Sequence, residues 1–287
     1  MKAGMIDPAI PQPEGDDVST RSALRRAIAP GRSLSSSDVV AREEPLEIQL
    51  GPASLAVVMR TPGHDEELVR GFAITERIVA SASQILSVRH CSTARSAEAE
   101  DNVVRILVAA EVEVDLAALR RNLYASSSCG ICGKATIENA LATAPPLADD
   151  AFALDAATIR AFPAKLASMQ EGFRATGGLH AAGLFDRSGN LLVVREDIGR
   201  HNAVDKVVGW AAAHGLLPLS RHALMVSGRI SFEIVQKALA ARVPVVAAVS
   251  APSSLAIELA EASGIALVGF LRGQTMNVYA NQARVLA

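Results

Sequence analysis

Two cysteines separated by two residues, Cys129 and Cys132, carry the sharpest chemical signal in this sequence. They lie in Ala125–Lys134, a stretch rich in serine and glycine, which keeps the backbone accessible. Lys134 would favour the thiolate, the reactive form of a cysteine whose free thiol has a pKa of ~8.5. The pair is therefore a candidate for nucleophilic, redox or metal chemistry.

Four interpretations of this pair are open from the residues alone. The thiols are incidental, bind zinc, form a dithiol oxidoreductase, or act as a sulfur carrier or nucleophile. Zinc prefers four ligands, and without a second CxxC or a nearby CxxH a dimer would have to supply four thiolates. The motif does not open a thioredoxin-like βαβ unit, which weakens the oxidoreductase interpretation. The third cysteine, Cys91, is interpreted as structural.

Three loops in the C-terminal half follow predicted strands: Ser227-Gly228-Arg229, Ser250–Ser254 and Phe270–Thr275. Ligands gather at the carboxyl ends of strands in open parallel sheets, so we expect these loops at one edge. The first two are predicted to open helices, whose free N–H groups favour an anion, and Arg229 and Arg272 add guanidinium groups suited to phosphate. Together they predict a phosphate or nucleotide site. Each loop alone is better explained by N-cap serines and solvated arginines.

The segment Arg195–Lys206, which includes Glu196, holds seven ionisable residues where a predicted strand meets a predicted helix. His201 and Asp205 are four residues apart and can share a helix face. The segment is a candidate for binding or acid–base chemistry, and a solvated charged face is the alternative. His180, alone on its predicted strand, is interpreted as a hydrogen-bonded core residue.

The hydrophobic pattern divides the chain into three parts that must position these groups. Residues 1–42 predict a disordered or weakly ordered tail, with a short helix over Thr20–Ala29. Residues 43–150 predict a smaller α+β domain that carries the CxxC loop. Residues 151–287 predict an α/β domain with a mostly parallel sheet, entered through a helix near Asp155–Gly172.

Composition excludes several classes of protein. The 287 residues include 28 Lys+Arg and 30 Asp+Glu, a net charge of −2, whereas binders of long nucleic acid carry a strongly basic domain. Half of the residues are hydrophobic, which rules out general disorder. Three cysteines cannot form a disulfide scaffold, no apolar run reaches the ~18 residues of a membrane span, and the N-terminus lacks a secretory signal. We therefore expect a cytoplasmic protein without nucleic-acid or membrane partners.

Eight short stretches occur in a fixed order along the chain: Met59–Asp65, Glu67–Phe72, Ser127–Lys134, Thr176–Ala182, Arg195–Lys206, Ser227–Arg229, Ser250–Pro252 and Gly269–Arg272. Together they resemble the formate dehydrogenase accessory protein family (FdhD). The match runs from about Glu43 to the C-terminus. Any one stretch is a weak signal, but eight in order are specific.

The resemblance implies a sulfur carrier that receives sulfane sulfur from a cysteine desulfurase as a cysteine persulfide. It implies transfer of that sulfur to the molybdenum cofactor, bis-molybdopterin guanine dinucleotide, before this cofactor enters formate dehydrogenase. Cys129 is then the persulfide carrier and Cys132 its partner. The family fold is cytidine-deaminase-like, and its members form homodimers. The residues assigned to the cofactor are Phe270, Leu271, Arg272, Gly273, Gln274 and Thr275, with Ser227, Gly228 and Arg229 from the first loop.

The sequence departs from the family at Glu76-Arg77, where the family usually has Glu-Gly. A deaminase-like fold suggests zinc deamination, but that chemistry needs His-x-Glu, and the local string is His180-Ala181-Ala182. We therefore expect no deaminase activity and no resident metal. Two alternatives remain: a non-catalytic chaperone of the molybdenum cofactor, and a dimer in which Cys129 and Cys132 bind structural zinc.

Overall fold

The computed structural model describes residues 18–30, 32–91, 101–114, 133–148 and 152–287. The strands in these ranges are β1 (Thr20–Ala29), β2 (Arg32–Ala41), β3 (Glu44–Leu50), β4 (Ala53–Arg60), β5 (Ile85–His90), β6 (Val103–Val108), β7 (Leu154–Asp155), β8 (His180–Phe185), β9 (Leu191–Asp197), β10 (Ala223–Val226), β11 (Val245–Ala248), β12 (Ala266–Arg272), β13 (Thr275–Ala280) and β14 (Val285–Leu286). The helices are α1 (Asp65–Thr75), α2 (Gly133–Thr143), α3 (Ala156–Arg160), α4 (Phe162–Ser168), α5 (Glu171–Thr176), α6 (Arg200–Ala213), α7 (Phe232–Ala240) and α8 (Ser254–Ser263).

A six-stranded sheet forms the C-terminal half, in the order β13-β12-β11-β10-β8-β9. β10, β11 and β12 are parallel neighbours, joined through α7 and α8. The pairs β8–β9, β8–β10 and β12–β13 are antiparallel. The prediction of a mostly parallel sheet was therefore wrong. The physical reason is that the short connections β8–β9 and β12–β13 are hairpins, and only the helical crossovers allow parallel pairing.

Both faces of this sheet are buried. Along β10, Leu224 and Val226 belong to one hydrophobic core, which α6, α7 and α8 complete. Ala223 and Met225 point into a second core, which α3 and α4 complete. Successive side chains of a strand face opposite sides, so a strand covered on both faces is apolar throughout. This accounts for the unbroken apolar run from 243 to 249 in the sequence.

A four-stranded sheet, in the order β4-β3-β6-β5, forms the N-terminal part. β3 buries Leu46 and Ile48, and Gly51 makes the turn to β4 at a φ of 56°. The buried face of this sheet and α1 belong to the same hydrophobic core as α6. One core thus includes residues of both predicted domains, and the boundary near residue 150 stays a prediction.

The backbones of α1 and α6 approach each other closely where the two helices cross in this core. A Cβ atom added at Gly71 would lie 1.8 Å from the carbonyl oxygen of Asp205. One added at Gly209 would lie 1.8 Å from the carbonyl oxygen of Glu67. Neither position has room for a side chain, because each helix packs directly on the backbone of the other.

The stretch predicted as a tail contains an antiparallel hairpin of β1 and β2, which pairs Thr20 with Ala41 and Ala29 with Arg32. The prediction of a helix over Thr20–Ala29 was therefore wrong. Local pattern favoured a helix, but the backbone hydrogen bonds are satisfied across the hairpin instead. The two strands leave Leu24 and Ile28 largely exposed.

The predicted helix near Asp155–Gly172 is three short helices, α3, α4 and α5. Pro163 occupies the first turn of α4, where its missing N–H is tolerated, and it separates α4 from α3. Phe162 at the start of α4 stacks on Phe185 of β8, with ring centroids 3.9 Å apart. The break lets the chain follow the second face of the six-stranded sheet.

Arg77, the departure from the family pattern, follows the C-terminus of α1 in the left-handed conformation, with a φ of 58°. Ile78 N–H donates to the carbonyl oxygen of Ala73, as in the helix ending that normally contains glycine. A side chain in this conformation costs about 1–2 kcal/mol, partly offset because glycine loses more entropy on folding. We expect Arg77→Gly to raise the free energy of unfolding by about 0.5–1 kcal/mol in equilibrium urea denaturation.

Arg77→Ala is the matched control, because it removes the same charge but keeps the Cβ atom. It should leave the free energy of unfolding close to that of the wild type. A glycine variant no more stable than the alanine variant would contradict the strain argument.

Candidate functional site

The three predicted loops do converge at one edge of the six-stranded sheet. The first two follow β10 and β11, and the third begins at the end of β12; the parallel pairing of these strands places their carboxyl ends side by side. Ile230 N–H donates to Ala251 O at 3.1 Å, which ties the first loop to the second. Phe270 N–H donates to Ser250 O at 3.1 Å, which ties the third loop to the second. The prediction of a common edge is confirmed.

The third loop differs in form from the prediction. Phe270, Leu271 and Arg272 end β12, Thr275 begins β13, and Gly273-Gln274 is the turn of this hairpin. Phe270 has a φ of 51° at a register shift in β12, and the residue is 39% exposed. The Arg272 guanidinium lies 6.0 Å from the Phe270 ring centroid, and its Nε donates to Val249 O. An exposed aromatic ring beside a guanidinium group is a surface on which a nucleobase can stack.

Leu271, between them, is fully buried in the second core, so its side chain is not available to a ligand. Gly269 allows the close contact of the second and third loops. A Cβ atom there would lie 2.9 Å from Pro252 and 3.2 Å from Ser250 O.

The serines of the first two loops have different roles. Ser253 is the N-cap of α8, and its Oγ accepts a hydrogen bond from Ala256 N–H at 3.3 Å. Ser227 is not an N-cap, because α7 begins later with Ser231 as its N-cap. Ser227 Oγ instead accepts from Ala181 N–H at 2.8 Å, and Ser227 N–H donates to Ala181 O. The first loop is thus fixed to β8.

His180 lies against this first loop. A Cβ atom on Gly228 would be 3.3 Å from His180 Nδ1, so the glycine backbone packs on the imidazole. His180 is only partly buried, and no hydrogen bond of its ring is found among the described residues. The prediction of a hydrogen-bonded core histidine was wrong, since the start of β8 lies at the sheet edge. Burial and, next, the charge of Arg200 lower the pKa of His180.

Most charges of Arg195–Lys206 join the two halves of the chain. Arg195 makes a bidentate ion pair with Glu67, at 2.6 and 2.8 Å. Lys206 Nζ lies 2.8 Å from Asp197 Oδ2, fully buried, and also donates to Thr61 O at 2.8 Å. These contacts connect Arg195–Lys206 to both Met59–Asp65 and Glu67–Phe72, three of the eight stretches noted in the sequence.

Glu196 has a local structural role. Its carboxylate oxygens accept hydrogen bonds from Gly172 N–H and Phe173 N–H, both at 2.8 Å. These N–H groups belong to the first turn of α5, which has no intrahelical partners for them. Glu196 therefore caps α5.

Asp205 belongs to a buried ionic cluster and does not face His201. Its carboxylate lies 2.9 Å from Lys237 Nζ and accepts from Thr75 Oγ1 at 2.6 Å. Lys237 also pairs with Glu76 at 2.7 Å. Burial raises the pKa of Asp205 to about 6, although Lys237 opposes the shift. Burial alone would lower the pKa of Lys237, but the two carboxylates outweigh it and raise that pKa. Sequence reasoning missed Lys237, because nothing local marks a lysine as buried.

His201 and Arg200 are the members of the segment that lie toward the loop edge. His201 Nε2 is 3.3 Å from Ser231 Oγ and 3.8 Å from Glu233 Oε2. Burial, followed by the charge of Arg200, lowers the pKa of His201 to about 4, so the ring is neutral at pH 7. A neutral imidazole donates a hydrogen bond from one ring nitrogen and accepts one at the other, which suits it to positioning a polar ligand.

Cys129 and Cys132 lie outside the described residues, and so do the side-chain surroundings of Lys134. Cys91 is partly buried, and Arg105 Nη2 lies 3.5 Å from its sulfur, so it is not among apolar neighbours alone. The described ranges contain no group of three His, Cys, Asp or Glu side chains placed to hold a metal ion. No helix in these ranges combines the length and apolar character that crossing a membrane requires.

A cavity of about 340 Å³ lies beside β9, away from the loop edge. Its lining comprises Lys165, Ser168, Met169, Leu191, Leu192, Val193 and Val194. It contains a single titratable side chain and no convergent set of donors, so the loop edge is the stronger candidate for ligand chemistry.

A family model described as the FdhD/NarQ family matches residues 41–286. A protein named sulfur carrier protein FdhD from Mycolicibacterium paratuberculosis is 48% identical over 258 residues, covering 89% of this chain and 94% of the relative. A protein of the same name from Anaeromyxobacter dehalogenans is 44% identical over 287 residues, covering 92% and 98%.

The fold is similar to a crystal structure from Desulfotalea psychrophila, of a protein assigned as a formate dehydrogenase accessory protein. The TM-score is 0.74, the sequence identity 26%, and the similarity covers 93% of this chain and 99% of that one. Sequence and fold therefore place this chain beside the same group of proteins.

Proposed function

The chain belongs to the FdhD/NarQ family, and on that premise we propose that it is a sulfur carrier for the maturation of formate dehydrogenase. It accepts sulfane sulfur from a cysteine desulfurase as a persulfide on Cys129, with Cys132 as the partner thiol. It then transfers this sulfur to the molybdenum cofactor, bis-molybdopterin guanine dinucleotide. The relatives named sulfur carrier proteins, about 44–48% identical, support the first part of this proposal.

The first step is a sulfur exchange without net oxidation. The Cys129 thiolate attacks the terminal sulfur of the desulfurase persulfide, and the S–S bond of that persulfide breaks. The desulfurase cysteine leaves as a thiolate, and Cys129 keeps the transferred sulfur as a new persulfide. A serine- and glycine-rich loop suits this exchange, because two protein sulfur atoms must approach each other closely.

The cofactor is a substrate of the second step, and the loop edge fits its nucleotide parts. The observation that carries this proposal is the convergence of Ser227–Arg229, Ser250–Ser254 and Phe270–Thr275 at one sheet edge. Arg229 and Arg272 supply guanidinium groups for the pyrophosphates. The exposed ring of Phe270 supplies a surface for a guanine base.

The remaining parts of the proposal concern architecture and partners. Residues 151–287 take a cytidine-deaminase-like fold, residues 43–150 form the smaller α+β domain, and two copies form a homodimer. The protein acts in the cytoplasm with a cysteine desulfurase and a formate dehydrogenase as partners. The cytoplasm suits this chemistry, because it keeps thiols reduced.

The test is intact-protein mass spectrometry after incubation with a cysteine desulfurase and cysteine. We expect the wild type to gain one sulfur atom, reversibly by reductant, and Cys129→Ala to gain none. Cys91→Ala is the matched control, since it also removes one thiol, and it should load sulfur normally.

An unloaded wild type, or a loaded Cys129→Ala, would contradict the persulfide assignment. An unloaded wild type that still binds guanine nucleotides through Arg272 would instead support a non-catalytic cofactor chaperone. Stoichiometric zinc on the thiolates would support structural cysteines.

A further inference from the structure

Arg200 differs from the other cations of its segment, because it has no ionic partner among the described residues. Its Nε atom is buried and has no hydrogen-bond partner there. Arg195 and Lys206, by contrast, are paired with Glu67 and Asp197. A buried guanidinium N–H without an acceptor is unfavourable. We therefore expect the hydrogen-bond acceptor of Arg200 Nε to lie outside the described residues.

Further unpaired donors lie next to Arg200. The Cδ atom of Arg200 is 3.9 Å from the position of a Cβ on Gly228. Within the described ranges, neither Gly228 N–H nor Arg229 N–H donates to another group, although the flanking Ser227 and Ile230 N–H groups do. Successive free N–H groups beside an arginine form the kind of concavity that binds anions.

The two imidazoles beside this cluster add no charge to it. Burial and the charge of Arg200 lower the pKa values of His180 and His201, so both rings are neutral at pH 7. Two carboxylates lie near this cluster: Glu233, which is engaged with Ser231 and with its own N–H, and Asp197, which is paired with Lys206. Among the described residues neither makes an ion pair with Arg200, so no direct contact neutralises the guanidinium charge.

We propose that Arg200 and the N–H groups of Gly228 and Arg229 bind a phosphoryl group of a guanine nucleotide. Several N–H donors around one guanidinium group match the oxygens of a phosphoryl group better than a single carboxylate. The identity of the nucleotide rests on the proposed function, whereas the phosphoryl chemistry rests on the donors themselves. The site extends the loop edge to α6, which the sequence motifs did not assign to the cofactor.

The test measures binding of GDP, guanosine and inorganic pyrophosphate by titration calorimetry. We expect Arg200→Gln to weaken GDP binding about 10-fold to 100-fold, the range of one charge-assisted pair. Pyrophosphate should lose affinity in parallel, whereas guanosine should bind both proteins equally. Arg200→Lys should retain part of the GDP affinity.

Arg187→Gln is the matched control. Arg187 is exposed on the turn after β8, whereas the site adjoins the start of that strand. The Arg187→Gln substitution removes the same charge as Arg200→Gln and should leave GDP binding unchanged. Thermal unfolding separates ligand binding from a structural role, because removing an unpaired buried charge should not lower the Tm of the ligand-free protein.

GDP affinity that is equal in wild type and Arg200→Gln would overturn the inference, as would a variant that loses Tm without ligand. A response to pyrophosphate without one to GDP supports the phosphoryl site and overturns its assignment to a nucleotide. Sulfur loading of the same preparations keeps the two proposals separate. A wild type that gains sulfur but binds neither GDP nor pyrophosphate would overturn this inference and the cofactor site at the loop edge, and it would leave the sulfur-carrier proposal intact. A wild type that binds both but gains no sulfur would overturn the sulfur-carrier proposal alone.

Discussion

Replacing Gly71 with alanine is expected to lower the free energy of unfolding by about 4 kcal/mol or more. The new Cβ atom would lie 1.8 Å from Asp205 O and 2.6 Å from Asp205 C. Both are backbone atoms of α6, so no rotamer change relieves the clash. The helices must separate, and that opens the core that the two halves of the chain share.

Equilibrium denaturation in urea measures this effect, with soluble yield as a second readout. Gly178→Ala is the matched control, because a Cβ there meets only ordinary contacts, the nearest at 3.5 Å from Ala41. It should change the free energy of unfolding by less than about 0.5 kcal/mol. Similar stability of the two variants would show that α1 and α6 do not cross as closely as described.

Replacing Lys237 with methionine is expected to cost about 3–5 kcal/mol at pH 7.5, because it leaves the Asp205 and Glu76 carboxylates without their common cation. Asp205 is fully buried, and burial already raises its pKa to about 6 with Lys237 present. Without Lys237 that pKa rises further. A carboxyl group whose folded-state pKa is raised binds its proton more tightly in the folded state, so protonation favours folding.

The loss caused by Lys237→Met should therefore shrink as the pH falls from 7.5 toward 5. Urea denaturation at several pH values measures this trend against the wild type. The double variant Lys237→Met/Asp205→Asn should recover about 1–3 kcal/mol at pH 7.5, because the buried carboxylate is gone. A loss that is independent of pH and not recovered in the double variant would show that Lys237 acts through packing alone.

The sequence predicted the local elements of the C-terminal half well. The hydrophobic pattern predicts a strand over Ala223–Val226 and a helix over Leu255–Ser263; the strand has these bounds, and the helix begins one residue earlier, at Ser254. Apolar runs of strand length bounded by glycine, serine and proline carry this information locally. The common edge of the three loops followed from the same order of elements, because helical crossovers place successive strands in parallel.

Sheet direction was less accessible to the sequence. The pattern predicts a hairpin of Leu179–Phe185 and Leu191–Arg195, which β8 and β9 form. Its attachment to β10 rather than to another strand depends on which edges meet in three dimensions. The pairing of β1 with β2 was likewise not evident from the sequence, because the local pattern of Thr20–Ala29 also suits a helix.

The roles of the charged residues were decided by the tertiary structure alone. The sequence showed seven ionisable groups in Arg195–Lys206 but did not separate those that join the two halves from those that face the loop edge. Glu67 and Arg195, or Thr75 and Asp205, are about 130 residues apart along the chain. Local periodicity describes neighbours within a few residues, whereas these partners meet because the tertiary structure brings α1 against Arg195 of β9 and Asp205 of α6. The sequence by itself thus determined which ionisable groups the protein has. The packing of the helices determined which of these charges are paired within the described chain and which, like that of Arg200, are available to a ligand.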